Sequence, residues 1–271
     1  MLRILGIAIA APLRLILKLV GTFYKQIPFG FYQLLYKLSG DSDDGNLMII
    51  RKAISQDYGG AMDVARDLFE KTGDCKFINM AITFAIHIYR DMDLAKQLID
   101  IGMAEGKSNQ EHVLYFMIWL AEYVDGIDEE AAIEDMLSRN DVPVNYTELA
   151  LIEKADLHMQ KQQWDQAEKL ADRVLGIHHS DSAHWVKWIC NSATENQAQA
   201  QKHFEIFAKS PNKSNFLYMI SQGWYYLGQY EQAYEDLQKA LQGGYLPNMV
   251  TKTMKNFMAQ YQQNSGDASF A

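Results

Sequence analysis

The sequence predicts an all-α protein built from stacked helical hairpins, and three observations carry that expectation. Proline and glycine are scarce, at 5 and 17 in 271 residues, which leaves too few turn formers for a chain of many short strands. Hydrophobic residues make up 48% and charged residues 22%, so the chain can bury a core and is not a disordered one. Small and apolar residues also recur with a period close to 34, as in units that cannot bury their own apolar stripe and stack on neighbours instead.

Alanines that open the second helix of each hairpin mark the repeat: Ala61, Ala95, Ala131, Ala167, Ala200 and Ala233, at spacings of 34, 36, 36, 33 and 33. A large residue stands three positions before four of them, namely Tyr58, Met92, Trp164 and Tyr230. Four and seven positions after the marker come Ala65 and Leu68, Ala171 and Val174, Phe204 and Phe207, and Leu237 and Ala240, the spacing of one helical face. The clearest unit reads Trp224-Tyr225-Tyr226-Leu227-Gly228-Gln229-Tyr230-Glu231-Gln232-Ala233, and Gln162-Gln163-Trp164-Asp165-Gln166-Ala167 repeats its frame.

This pattern resembles the tetratricopeptide repeat (TPR), a helix-turn-helix unit of 34 residues. The resemblance implies a right-handed superhelix of about six TPR-like hairpins over residues 46–247, a capping helix over 248–263 and a flexible tail at 264–271. It further implies that the first helices line a concave groove holding a partner helix or peptide. The lining would include Phe77, Met80, Phe84, Phe116, Leu120, Tyr123, Ile152, Met159, Trp185 and Tyr225. The paired lysines and asparagines by which chaperone-binding members hold a terminal carboxylate are not at those positions, so that mode is not implied. Residues 77–89 and 113–121 are apolar nearly all round and need covering on every side. A tight superhelix, a partner helix or peptide, or an apolar ligand would each cover them.

Residues 1–38 form a basic segment with hydrophobic and amphipathic helical character, followed by a polar hinge at 39–45. The first 40 residues carry five basic side chains and no acid, against 20 basic and 34 acidic groups in the rest. A basic head on an acidic body points to an anionic surface at one end and offers no stripe for nucleic acid. The apolar run at the front of the segment, 4–13, is only ten residues, short of the roughly 20 that span a bilayer. Arg3, Arg14, Lys18 and Lys25 fall within an arc of about 60° on a helix, so they can reach lipid phosphates while the remaining face inserts. Phe29, Phe31 and Tyr32 add aromatic rings of the interfacial type. An in-plane anchor follows most directly. A tilted span, a signal peptide and a cap helix of the body stay open beside it.

Two cysteines 115 residues apart suggest no disulfide framework and a reducing compartment, which with the basic head places the chain at the cytoplasmic face of a membrane. The only cluster with metal-ligand character is His178, His179 and His184, unsupported by HExxH or a cysteine pair. Asp41, Asp43 and Asp44 lack the twelve-residue calcium loop, and Asp128-Glu129-Glu130 reads as an acidic first turn of a helix. No phosphate-binding, nucleophile-elbow or kinase motif occurs, so catalytic, cofactor-binding and metal residues are not expected. The function that follows is a membrane-tethered scaffold that binds or organises other proteins. Its competitor is a structural subunit whose head packs on another subunit, and a metal-dependent enzyme using the histidines stands behind both.

Overall fold

A computed structural model describes residues 29–209 and 213–265, and among them it contains fourteen α-helices and no strand. In chain order they are α1 (Phe29–Ser39), α2 (Ser42–Ile54), α3 (Tyr58–Thr72), α4 (Cys75–Phe84), α5 (Met92–Glu105), α6 (Glu111–Ala121) and α7 (Glu129–Ser138). There follow α8 (Val144–Gln160), α9 (Trp164–Ile177), α10 (Asp181–Ala193), α11 (Gln197–Phe207), α12 (Lys213–Tyr226), α13 (Tyr230–Gln242) and α14 (Lys252–Ser265). Helices adjacent in sequence pack on one another. Contacts divide the chain into two compact units, up to Met117 and from Ile118 onward, the boundary falling inside α6.

One backbone device joins the helices of most hairpins. Gln56, Gln162, Glu195 and Gly228 have φ of 61°, 56°, 61° and 72°, each two residues before the second helix. The next residue returns its N–H to a carbonyl five back, Asp57 to Lys52, Gln163 to His158, Asn196 to Asn191 and Gln229 to Trp224, at 2.8–3.1 Å. A second bond runs three back from the positive-φ residue, as from Gln56 to Ala53 at 2.9 Å. This left-handed closure satisfies helix-end carbonyls and reverses the chain within two residues. In the second hairpin Arg90 has φ 55°, but Asp91 reaches back six residues to Ala85, because a π-helical turn at Ala85–Tyr89 takes up one extra residue. In the third, Ala131 is exposed and the buried alanine is Ala132. The buried alanines therefore follow at 34, 37, 35, 33 and 33 residues.

Acidic side chains begin many of these helices. Asp41, Asp57, Asp74, Asp91 and Asp128 each accept a hydrogen bond from a backbone N–H of the first turn they precede, and Ser180 does so for α10. The aspartates at 41 and 128 thus act as caps. Asp91→Ala should lower stability by about 1 kcal/mol. Asp93→Ala, on the exposed side of the same turn, should stay within roughly 0.5 kcal/mol of the parent. Urea midpoints compare the two.

In the first unit, α1 packs on α2. Tyr32 and Leu35 are buried with Met48, and Phe29, Phe31 and Tyr36 close around them. Phe29, Phe31 and Tyr32 are therefore part of a cap on the first hairpin. The cause is the stripe Tyr32, Leu35 and Ser39, one helical face that α2 covers. Lys52 sits 5.2 Å above the Phe29 ring and adds a cation–π contact. Within the segment 39–45, Gly40, at φ 62°, and Asp41 form a two-residue turn, and 42–45 open α2. Arg3, Arg14, Lys18 and Lys25 lie outside the described residues. No helix among the described residues is long and apolar enough to cross a membrane.

In the second unit the core gathers on Trp188 of α10. Its ring lies 5.2 Å from those of Phe204 and Trp224, the latter edge-on at 90°. Ala167, Ala171 and Ala200 let the helices approach. A 3₁₀ turn at Pro247–Met249 leads into α14, whose Met254 and Phe257 cover Leu237 and Ala240 of α13.

Candidate functional site

Of the ten residues expected to line a groove, Met159 and Tyr225 line an open cavity of the second unit. Phe77, Phe84, Phe116, Leu120, Ile152 and Trp185 are buried in the interior, while Met80 and Tyr123 are half-buried. The Trp185 indole N–H donates to the Met219 carbonyl at 2.7 Å. Large apolar side chains of the first helices thus fill the spaces between helices, and polar ones take the open face.

That face is a two-lobed cleft within residues 118–271. The larger lobe holds about 490 Å³ and is lined by Met159, Gln160, Gln162, Tyr225, Tyr226, Tyr230, Thr253, Asn256, Phe257 and Gln260. The smaller holds about 190 Å³, shares Gln160, Tyr226 and Thr253, and adds Glu122, Glu129, Gln222 and Lys252 beside Asp156. Its position comes from α8, which aims Glu153, Asp156 and Gln160 one way at i, i+3 and i+7, and from α12 and α14 opposite.

Asp156 holds the lobes together. Its carboxylate accepts from the Tyr226 hydroxyl at 2.6 Å and from the Gln160 amide at 2.7 Å. The first of these joins α8 to α12 across 70 residues. The start of α14 is fixed as firmly: the Lys252 backbone N–H donates to the Glu122 carbonyl at 2.9 Å, and its ammonium reaches the Val124 carbonyl at 2.9 Å and Asp125 at 3.1 Å. The Tyr218 hydroxyl accepts the Thr251 N–H at 2.9 Å beneath the stacked ring of Tyr245, 4.3 Å away.

Four carboxyl groups meet here and their ionisation is suppressed. Withdrawal from water raises Glu122 to about 7, with the charges of Asp156 and Glu129 pushing the same way. Glu129 is likewise raised to about 7 by desolvation and by Asp156. Glu153 is held well above the usual carboxylate range by desolvation and by Glu122, to which it is hydrogen-bonded. Asp156 is raised by desolvation against the lowering effect of Tyr226 and Gln160. Glu122 and Glu153 can thus share a proton near neutrality.

The histidines of the 178–184 cluster are each engaged by other groups. His178 pairs with Glu148 at 3.1 Å and His179 with Asp181 at 3.3 Å. His184 is buried against His203, Nδ1 to Nδ1 at 2.9 Å, one ring donating and the other accepting. Desolvation lowers both, His203 to about 4, so the pair is uncharged at neutral pH. Among the described residues no three histidine, cysteine or acidic side chains converge as metal ligands.

No protein-family model matches the chain, and no curated protein matches it. The cleft must be read from its own chemistry. Glu122, Glu153 and Asp156 escaped the sequence reading, and the spacing of Glu153, Asp156 and Gln160 on α8 is the signal that could have found them.

Proposed function

We propose that the protein is a membrane-tethered scaffold of the tetratricopeptide type. Residues 1–28 attach to anionic lipid through Arg3, Arg14, Lys18 and Lys25, and the hairpins form a right-handed superhelix that presents its cleft to partner proteins at the cytoplasmic face. The observation that carries this reading is the recurrence of one hairpin closure with a buried alanine three residues into the second helix, at a spacing near 34. Such an array exposes one face of every first helix, which suits binding better than chemistry. No catalytic step is part of this reading.

The structural-subunit reading keeps one argument of its own. Helix α1, which directly follows the basic segment, packs on protein through Tyr32 and Leu35. A head that continues along a neighbouring subunit would extend that packing.

Sedimentation with vesicles separates the two readings. Full-length protein should pellet with phosphatidylserine vesicles and stay in solution with phosphatidylcholine. Changing Arg3, Arg14, Lys18 and Lys25 to glutamate should abolish pelleting, since each basic residue near an anionic surface contributes about 1 kcal/mol. Persistent binding by the variant would refute the tether. Absence of both forms from the pellet, with the protein in a salt-resistant complex, would favour the subunit.

A further inference from the structure

We propose that the connection from α6 to α7, residues 122–128, is a proton-operated clasp. It holds the start of α14 while Glu122 and Glu153 share a proton, and it swings away from α8 when that proton leaves, opening the smaller lobe of the cleft. The device goes beyond the scaffold reading and does not depend on it, since it controls access to the cleft whatever the cleft receives. Its attachment is a junction on one residue. The Glu122 carbonyl accepts the Lys252 backbone N–H at 2.9 Å, the Val124 carbonyl accepts the Lys252 ammonium at 2.9 Å, and Asp125 pairs with that ammonium at 3.1 Å. The rest of α14 is held elsewhere: the Thr251 N–H before it donates to the Tyr218 hydroxyl at 2.9 Å, and Met254 and Phe257 cover α13. The clasp can therefore let go while α14 stays docked on α13.

The movement has a direction and a hinge. Glu153 is fixed in the middle of α8, whereas Glu122 belongs to a non-helical stretch. Gly126 of that stretch has φ 79°, and a side chain there would meet nothing within 4 Å, so the backbone has room to turn. Two carboxylates withdrawn from water repel each other, and the less constrained one, Glu122, is the one that leaves. The smaller lobe, about 190 Å³, lies against Glu122, Glu129, Asp156 and Lys252, so water there takes up the proton. It joins the larger lobe through Gln160, Tyr226 and Thr253, and displacement of the turn widens that passage.

The groups around the pair set the switch near neutrality. Burial raises Glu122 to about 7, and Asp156 of α8 and Glu129 of α7 push the same way. Lys252 of α14 acts oppositely and is the weakest of these influences. Tyr123 beside the pair, Tyr218 and Tyr226 of α12, and Tyr245 before α14 complete the surroundings. Burial holds all four hydroxyls above their usual value, so they stay neutral throughout the range in which the carboxyl groups change.

Amide hydrogen exchange of the full-length protein, resolved by NMR and corrected for the intrinsic base dependence of exchange, tests the clasp. Between pH 6 and pH 8 the protection of the Lys252 amide should fall about tenfold, the change that one group titrating near 7 imposes on an opening equilibrium. The Asn196 amide, bonded to the Asn191 carbonyl at the turn between α10 and α11, should keep its protection. Glu153→Gln and Glu122→Gln each remove the shared proton from one side of the pair, and each should hold Lys252 protection at pH 8 within about twofold of its value at pH 6. Equal Lys252 protection at both pH values in the parent would overturn the clasp. So would an equal loss at Asn196, which signals unfolding of the whole unit, or a tenfold fall that persists in either folded variant.

Discussion

Gly223→Ala should destabilise the protein by about 2 kcal/mol, whereas Gly176→Ala should stabilise it by about 0.5–1 kcal/mol. Both glycines lie inside helices, α12 and α9, where alanine is intrinsically the better residue. What differs is the space outside the helix. A Cβ at 223 would come within 2.4 Å of the Trp188 ring, while one at 176 meets nothing within 4 Å. Trp188 cannot yield, because Phe204 and Trp224 close on it from other sides. Overpacking therefore reverses the helix-propensity gain at 223 alone. Paired urea denaturation of the two variants reads the sign directly. A stabilised Gly223→Ala protein would mean that α10 and α12 do not meet as described.

The second large effect is on pH. Glu122 and Glu129 titrate near 7 in the folded protein and near 4.5 when unfolded, and Glu153 and Asp156 are shifted the same way. The folded state binds more protons over that interval, so the stability they contribute is complete below about pH 4.5 and is lost as pH rises through about 7. After discounting for solvent in the cleft, the loss is about 2 kcal/mol. His184 and His203 work in the opposite sense. Their folded values lie below 6.5, so their contribution is complete above that pH and is lost as pH falls toward 4. Stability should peak near about pH 6 and decline on both sides. Glu153→Gln keeps the donor to Glu122 without a proton to lose. It should flatten the alkaline limb and raise stability at pH 8 by about 1 kcal/mol. Equal urea midpoints at pH 6 and pH 8 in the parent would contradict the buried carboxyl cluster.

The hairpin architecture was legible because its markers are chemically simple. Alanine at 61, 95, 167, 200 and 233 is the residue that close helix packing demands, and each is buried. The third unit slipped by one residue because Ala131 and Ala132 are adjacent and only their environment distinguishes them. The turns left less trace. Gly228 announces its left-handed backbone, but Gln56, Gln162 and Glu195 adopt the same conformation with ordinary side chains. The π turn at Ala85–Tyr89 carries no signal in residue type. The aromatic residues of helix α1 are of a type that both a membrane interface and a protein surface select, so their packing on α2 is not written in residue type.

The cleft was the least legible feature. Its carboxyl groups come from the end of α6, the first turn of α7 and the middle of α8, and it is the fold that assembles them. Phe116, Leu120 and Ile152 fill the interior, and the open face of α8 belongs to Glu153, Asp156 and Gln160.

The central claim is that this cleft receives a protein partner at the membrane. A photoreactive amino acid at Gln260, on the rim of the larger lobe, compared with one at Gln201, exposed on α11 away from it, tests that claim in the cells that make the protein. The scaffold reading predicts a discrete cross-linked protein in the membrane fraction from position 260 and none from position 201. The same products from both positions, or none from 260, would contradict it.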